Sequence, residues 1–143
     1  MTLDLLQTQA QELQTRAKSI RLVCFDVDGT LTDGRLYFDS EGRESKAFHV
    51  HDGQGLRLLE DNGIAVAIIT ARDSASAKAR AHDLRLSHVF IGVKDKAACL
   101  RSLCEQLDIT PQQVAYMGDD IPDLPAMKLC ALVCIPSNAH PWM

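Results

Sequence analysis

The sequence predicts an α/β fold, a three-layer Rossmann-like domain with a mainly parallel sheet and an inserted β-hairpin, and three observations lead to it. Short apolar runs alternate along the whole chain with stretches spaced as amphipathic helices. Residues 64–70, IAVAIIT, are apolar almost throughout, as a strand covered on both faces requires. The strand-like runs end at Asp26, Thr70 and Gly118, which gathers polar groups at the carboxyl ends, where open parallel sheets bind ligands. At 143 residues the chain has the size of one domain, and no internal repeat, low-complexity tract or linker divides it. Residues 1–143 are therefore read as a single domain with residues 35–50 as its insertion.

Each element follows from local pattern. Leu3, Leu6, Ala10, Leu13 and Ala17 recur at helical spacing, which predicts an amphipathic helix over 3–18 with its apolar stripe packed on the body. A first strand is expected over 20–26. RLYF, the turn-like DSEGR and KAFHV predict a hairpin over 35–50. Its Leu36, Tyr37, Phe38, Phe48 and Val50 have little local core, so they call for another surface such as a second subunit. Asp52 is placed as the N-cap of the next helix, with Leu56, Leu58 and Leu59 as core positions and Gly63 as its stop. After the strand over 64–70 come a helix over 74–84, a strand over 88–92 and a helix over 95–107 with Ala98, Leu103 and Leu107 on one face. Pro111 interrupts, 114–117 is a strand running into GDD, 123–129 a short helix and 131–135 the last strand.

Composition narrows the function classes. With 46% hydrophobic and 24% charged residues the chain has an ordinary globular balance. A net charge of -4 argues against a general nucleic-acid binder, because no basic field offsets phosphate repulsion, yet it leaves room for a small anion held locally. No apolar run approaches the ~18 residues of a membrane span, and the N-terminus lacks the apolar core of a signal peptide. The cytoplasm is the expected compartment. Cys24, Cys99, Cys104, Cys130 and Cys134 are odd in number and form no CxxC pair, so reduced, packed thiols are expected. His49 and His51 alternate as if on one face of a strand, but no third ligand at metal-site spacing accompanies them.

The reaction centre is read from VCFDVDGTLTDG, where Asp26 and Asp28 follow an apolar strand and precede Gly29. Two such carboxylates are either solvated in a turn or, if buried, require a positive neighbour, for which a hard divalent cation such as Mg²⁺ suits. Three further strand ends bring Thr70 with Arg72, then Lys94 and Lys96, then Gly118 with Asp119, Asp120 and Asp123. Each alone has a bland reading: an N-cap threonine, a solvated lysine, a charged turn. Together, on one edge, they supply acids for a metal and cations with a hydroxyl for phosphate oxygens, which is the equipment of phosphoryl transfer. Lys96 is preferred to Lys94 because it begins the helix, where its ammonium turns back toward the loop.

DVDGT, the strand-ending Thr70, a lysine before a helix and GDDIPD together resemble the four-motif pattern of the haloacid dehalogenase superfamily of phosphatases. DGRLYFDSEGRESKAFHVHDGQG, IITAR and GDDIPDLP are similar to a capless subgroup of that superfamily, which acts on 3-deoxy-D-manno-octulosonate 8-phosphate and related nonulosonate 9-phosphates. The resemblance implies that Asp26 is the nucleophile and forms an aspartyl-phosphate, and that Asp28 protonates the leaving alcohol and then activates water. It implies Mg²⁺ on Asp26, Asp119 and the backbone carbonyl of Asp28, with the phosphoryl group on Thr70 and Lys96. Asp120 and Asp123 would order metal-bound water and the lysine, and Arg72 would face the sugar-acid carboxylate. A homotetramer whose hairpins assemble the subunits is implied as well, with a place in lipopolysaccharide biosynthesis. Subgroup members continue past the AHP at Ala139 with a glycine-rich segment that reaches toward an active site, while this chain stops at Met143. The expectation is that its absence spares the chemical groups and weakens closure, product release or assembly; the alternative readings are a non-catalytic oligomeric assembly or regulatory module of the same fold, or a phosphatase of a related nonulosonate 9-phosphate or of general small phosphate esters.

Overall fold

The computed structural model describes residues 3–143. Helix α1 (Leu3–Lys18) leads into β1 (Leu22–Phe25), and the hairpin strands β2 (Tyr37–Phe38) and β3 (Glu44–Ser45) come next. Then follow α2 (Val50–Asp61), β4 (Ala65–Thr70), α3 (Ala75–Asp83), β5 (His88–Ile91) and α4 (Lys96–Gln106). The chain closes with β6 (Val114–Met117), α5 (Leu124–Met127) and β7 (Leu132–Cys134). The main sheet has the order β5-β4-β1-β6-β7, and each neighbouring pair in it is parallel. The antiparallel pair β2-β3 stands apart as a separate small sheet.

Strand order explains the three layers. From β1 the chain steps outward through β4 to β5, then returns to the other side of β1 for β6 and β7. Crossovers of one hand put helices on one face while the chain steps one way and on the opposite face once it turns back. Accordingly Val66 and Ile68 of β4 pack with Leu56 of α2 and Ala77, Ala81 and Leu84 from α3 and its end. Ala67 and Ile69 of the same strand point the other way, toward Leu100, Leu103 and Cys104 of α4 and Ala126 and Met127 of α5. The apolar run over 64–70 is thus two core faces interleaved at a period of two.

Local chemistry sets several boundaries. Ser74 and Asp95 cap α3 and α4 by accepting from the backbone N–H groups of Ala77 and Ala98. Helix α2 ends at Gly63, which has φ +78°, while the N–H groups of Gly63 and Ile64 close back onto the carbonyls of Glu60 and Leu59. The start of α2 differs from expectation. His49, not Asp52, is the N-cap, its imidazole accepting from the backbone N–H of His51, and the first i→i+4 bond runs from Gly53 to the His49 carbonyl. His49 and His51 therefore lie at a helix start rather than on a strand face, with ring centroids 4.8 Å apart.

Other differences have a common cause, since spacing reports an apolar stripe but not what covers it. From Leu6 to Lys18, α1 is exposed, with Leu6 and Leu13 about half accessible. Leu58 is exposed, and the buried face of α4 runs through Ala97, Leu100, Leu103 and Cys104 rather than Ala98. The hairpin pairs only two residues per strand, and Phe48 leaves it to pack against the core beside α2. The short helix over 123–129 contracts to α5, preceded by a 3₁₀ turn at Ile121–Asp123. All five cysteines are free thiols, but Cys134 is exposed rather than packed. Among the described residues no helix is long and apolar enough to cross a membrane.

Gly63 and Gly55 provide a paired test, since an added Cβ would meet nothing within 4 Å at either position. Gly63→Ala forces a side chain into a left-handed conformation and should cost about 1 kcal/mol. Gly55→Ala, within α2, should instead stabilise by about 0.5–1 kcal/mol through helix propensity. Urea unfolding of the two variants should show shifts of opposite sign.

Candidate active site

Register brings the polar strand ends together. Phe25 pairs with Ile68 on one side and Met117 on the other, so Asp26, Thr70 and the loop after Met117 emerge at one edge of the sheet. The backbone N–H of Asp26 donates to the Met117 carbonyl at 3.0 Å, which extends that pairing by one residue. Gly29, at φ +90°, lets the first loop touch the last: a Cβ there would lie 2.0 Å from Asp119 Oδ2.

Lys96 is the centre of the arrangement. Asp95 caps α4, and the next side chain turns back under the sheet edge, 5% exposed, where its Nζ lies 2.7 Å from both Asp26 Oδ1 and Asp123 Oδ1. Burial alone would lower the Lys96 pKa, but the two carboxylates outweigh it and hold the ammonium charged. Burial raises the Asp26 carboxyl to about 6, against the pull of Lys96 and with a further push from Asp123. Asp123 is fully committed: Oδ1 also accepts from the Tyr116 hydroxyl at 3.2 Å, and Oδ2 from the backbone N–H groups of Asp119 and Asp120. It orients the lysine and pins the loop. Burial, followed by the nearby Asp123, pushes the Tyr116 phenol up.

The donor set fits a hard divalent cation. Oxygens of Asp26, Asp119 and Asp123 lie within 4.8 Å of one another, and Lys96 supplies the positive charge among them. Asp119 is half-buried and, among the described residues, its carboxylate accepts a single hydrogen bond, from Thr30 Oγ1 at 3.3 Å. Its pKa is raised by burial, with Asp123 and Asp120 adding to the effect against the Thr30 bond. An excess of closely spaced, hard carboxylate oxygens is what an oxygen-coordinated dication relieves. Asp28 keeps its carboxylate out of this group and pairs instead with Lys46, with Arg72 Nε 3.9 Å from its Oδ2.

A cleft of about 130 Å³ opens over these groups, lined by Asp26, Asp28, Thr70, Arg72, Lys96 and Asp123. A larger hollow of about 530 Å³ lies beside it, between Leu31, Phe48, His49 and His51. Its lining includes Asp33, His51 and Asp52 but no lysine or arginine, and the His49 Nδ1 is already used as the cap of α2. The small cleft has the convergent charges and is the better candidate. Of the expected residues, Asp26, Asp28, Thr70, Arg72, Lys96, Asp120 and Asp123 line one space, with Asp119 against Gly29. Lys94 is exposed, and Asp120 spends one oxygen capping the Ile121 N–H.

Four residues outside the expected set complete the site. Thr30 and Tyr116 carry hydroxyls to Asp119 and Asp123, and Glu44 and Lys46 reach Asp28 and Arg72 from the hairpin. For the last two a signal existed: Glu44, Lys46 and Phe48 alternate, so they share the hairpin face that turns to the body.

A family model described as haloacid dehalogenase-like hydrolase matches residues 43–130. The 3-deoxy-D-manno-octulosonate 8-phosphate phosphatase KdsC of Yersinia pestis is 42% identical over 134 residues, 94% of this chain and 72% of that protein. A crystal structure of a hypothetical protein from Xanthomonas campestris superposes with a TM-score of 0.89 at 58% identity, covering 92% of this chain and 71% of that one. The 3-deoxy-D-manno-octulosonate 8-phosphate phosphatase of Moraxella catarrhalis, solved with a magnesium ion, a phosphate ion and KDO, matches with a TM-score of 0.87 at 43% identity. That match covers 91% of this chain and 75% of the other.

The buried triad yields a graded stability test in chelator-treated protein. Lys96→Met strands two buried carboxylates and should cost about 3–5 kcal/mol. Tyr116→Phe removes one neutral donor and should cost about 1 kcal/mol. Lys94→Met, at an exposed position, should stay within about 0.5 kcal/mol of the parent in urea unfolding.

Proposed function

This chain belongs to the haloacid dehalogenase-like hydrolase family, and from that premise and the geometry of the cleft we propose a Mg²⁺-dependent phosphatase for 3-deoxy-D-manno-octulosonate 8-phosphate, releasing the free sugar acid and phosphate. The observation that carries this reading is the buried Asp26 carboxylate, held at one oxygen by Lys96 at the floor of a cleft beside Asp28, Thr70 and Arg72. A carboxylate is a weak nucleophile, and fixing it against the phosphorus supplies by position what it lacks in reactivity.

Asp26 attacks the phosphorus as the ester P–O bond breaks, and the departing alkoxide takes a proton from Asp28. The resulting aspartyl-phosphate is attacked at phosphorus by water, whose proton returns to Asp28, and Asp26 is freed with inorganic phosphate. Lys96 and Thr70 bind the transferring phosphoryl oxygens, and Arg72 offers its guanidinium to the carboxylate of the sugar acid. Asp26, Asp119 and the backbone carbonyl of Asp28 would hold Mg²⁺, which when bound neutralises charge on the phosphoryl group. Asp123 orients Lys96, and Asp120 shapes the loop that carries Asp119, ordering the water around the metal.

The same reading takes residues 1–143 as one catalytic domain with an open edge, closed by association. Leu36, Tyr37, Phe38 and Val50 are each 40% exposed or more, which supports assembly of a homotetramer through the hairpins. Free thiols and the absence of a membrane-spanning helix among the described residues agree with a cytoplasmic enzyme of lipopolysaccharide biosynthesis.

Asp26→Asn should abolish phosphate release from 3-deoxy-D-manno-octulosonate 8-phosphate, and chelation of divalent metal should do the same reversibly; turnover by Asp26→Asn would remove the mechanism. Light scattering should give a tetramer mass that Phe38→Asp reduces, and an unchanged mass in that variant would remove the hairpin interface.

A further inference from the structure

We propose that Lys46, carried into the site by the hairpin of the same chain, is a positioning residue that fixes which oxygen of Asp28 exchanges a proton with the leaving group. The inference rests on the phosphatase reading above and concerns a residue outside the catalytic set. The Lys46 side chain is 1% exposed, unusual for a lysine in a short surface hairpin, and its ammonium is divided between Asp28 Oδ1 and Glu44 Oε1, the latter at 2.8 Å. Glu44 in turn accepts from Arg72 through its other oxygen, and Arg72 Nε lies 3.9 Å from Asp28 Oδ2. Lys46, Asp28, Arg72 and Glu44 therefore close a ring of alternating charge between the hairpin and the catalytic loop.

The ring is asymmetric in its access to substrate. Asp28 and Arg72 line the cleft, whereas Lys46 and Glu44 stand behind them. With Oδ1 occupied from behind, Oδ2, on the Arg72 side, is left to give a proton to the ester oxygen and later to take one from water. A carboxylate free to rotate about its Cβ–Cγ bond would present either oxygen, or turn toward Arg72 and lose both. Because a single hairpin supplies both Glu44 and Lys46, it orients the acid and the substrate-facing guanidinium together.

The test compares two esters. A sugar alkoxide leaves only with a proton, while p-nitrophenolate is a good leaving group without one, so a defect in the orientation of Asp28 must separate them. In Lys46→Met, kcat for 3-deoxy-D-manno-octulosonate 8-phosphate should fall by about 10²-fold, within the range of general acid catalysis, with little change in KM, while kcat for p-nitrophenyl phosphate falls less than about threefold. Equal losses on both esters, or no loss on either, would overturn the proposal. Should Lys46→Met fail to fold, Lys46→Leu, which likewise removes the donor, is held to the same ratio. Asp26→Asn run alongside separates the two claims: its turnover with either ester would defeat the phosphatase mechanism itself, whatever Lys46 does.

Discussion

A buried ammonium shared by two buried carboxylates is the constraint around which the carboxyl edge of this sheet is built. Lys96 cannot be withdrawn from water unless Asp26 and Asp123 meet it, and neither carboxylate can be withdrawn without Lys96. The first comes from the end of β1, the second from the turn after β6, and the lysine from the first turn of α4. Three segments far apart in sequence are thus locked to one point. Asp123 transmits the lock by tying down the backbone of Asp119 and Asp120, and Tyr116 secures Asp123 from within the core.

That lock leaves a deliberate imbalance beside it. Asp119 is brought against Gly29, its carboxylate met by the Thr30 hydroxyl and close to Asp26 and Asp123, so these three carboxylates outnumber the one lysine among them. An oxygen-coordinated dication is what would relieve that excess. Burial, with Asp123 adding to it, raises the Asp26 carboxyl to about 6 although Lys96 sits against it.

Much of this was legible in the sequence, and the limits are physical. The residues over 64–70 read as a central strand, and Gly63 could be placed as the stop of α2 because a cap acts within a few residues of itself. Asp26, Thr70, Lys96 and Asp123 could be gathered because parallel strands end on one edge. Contacts made by the insertion could not. Between Gly34 and His49 the alternation puts Glu44, Lys46 and Phe48 on one face of a hairpin but does not show what that face meets, which is Arg72 and Asp28. Asp52 was expected to cap α2, but the first i→i+4 bond, from Gly53 to His49, starts the helix three residues earlier and makes His49 the cap. For α1, spacing foretold the helix and its stripe, yet Leu6 and Leu13 lie open on this chain.

Covalent phosphorylation of Asp26 is the step on which the proposed mechanism depends. The most direct test is to quench the enzyme with acid during turnover of 3-deoxy-D-manno-octulosonate 8-phosphate and to locate the phosphoryl group by peptide mass spectrometry. It should be found on the peptide containing Asp26 and, after borohydride reduction, residue 26 should read as homoserine. Turnover with a phosphoryl group on another residue, or on none, would contradict the account.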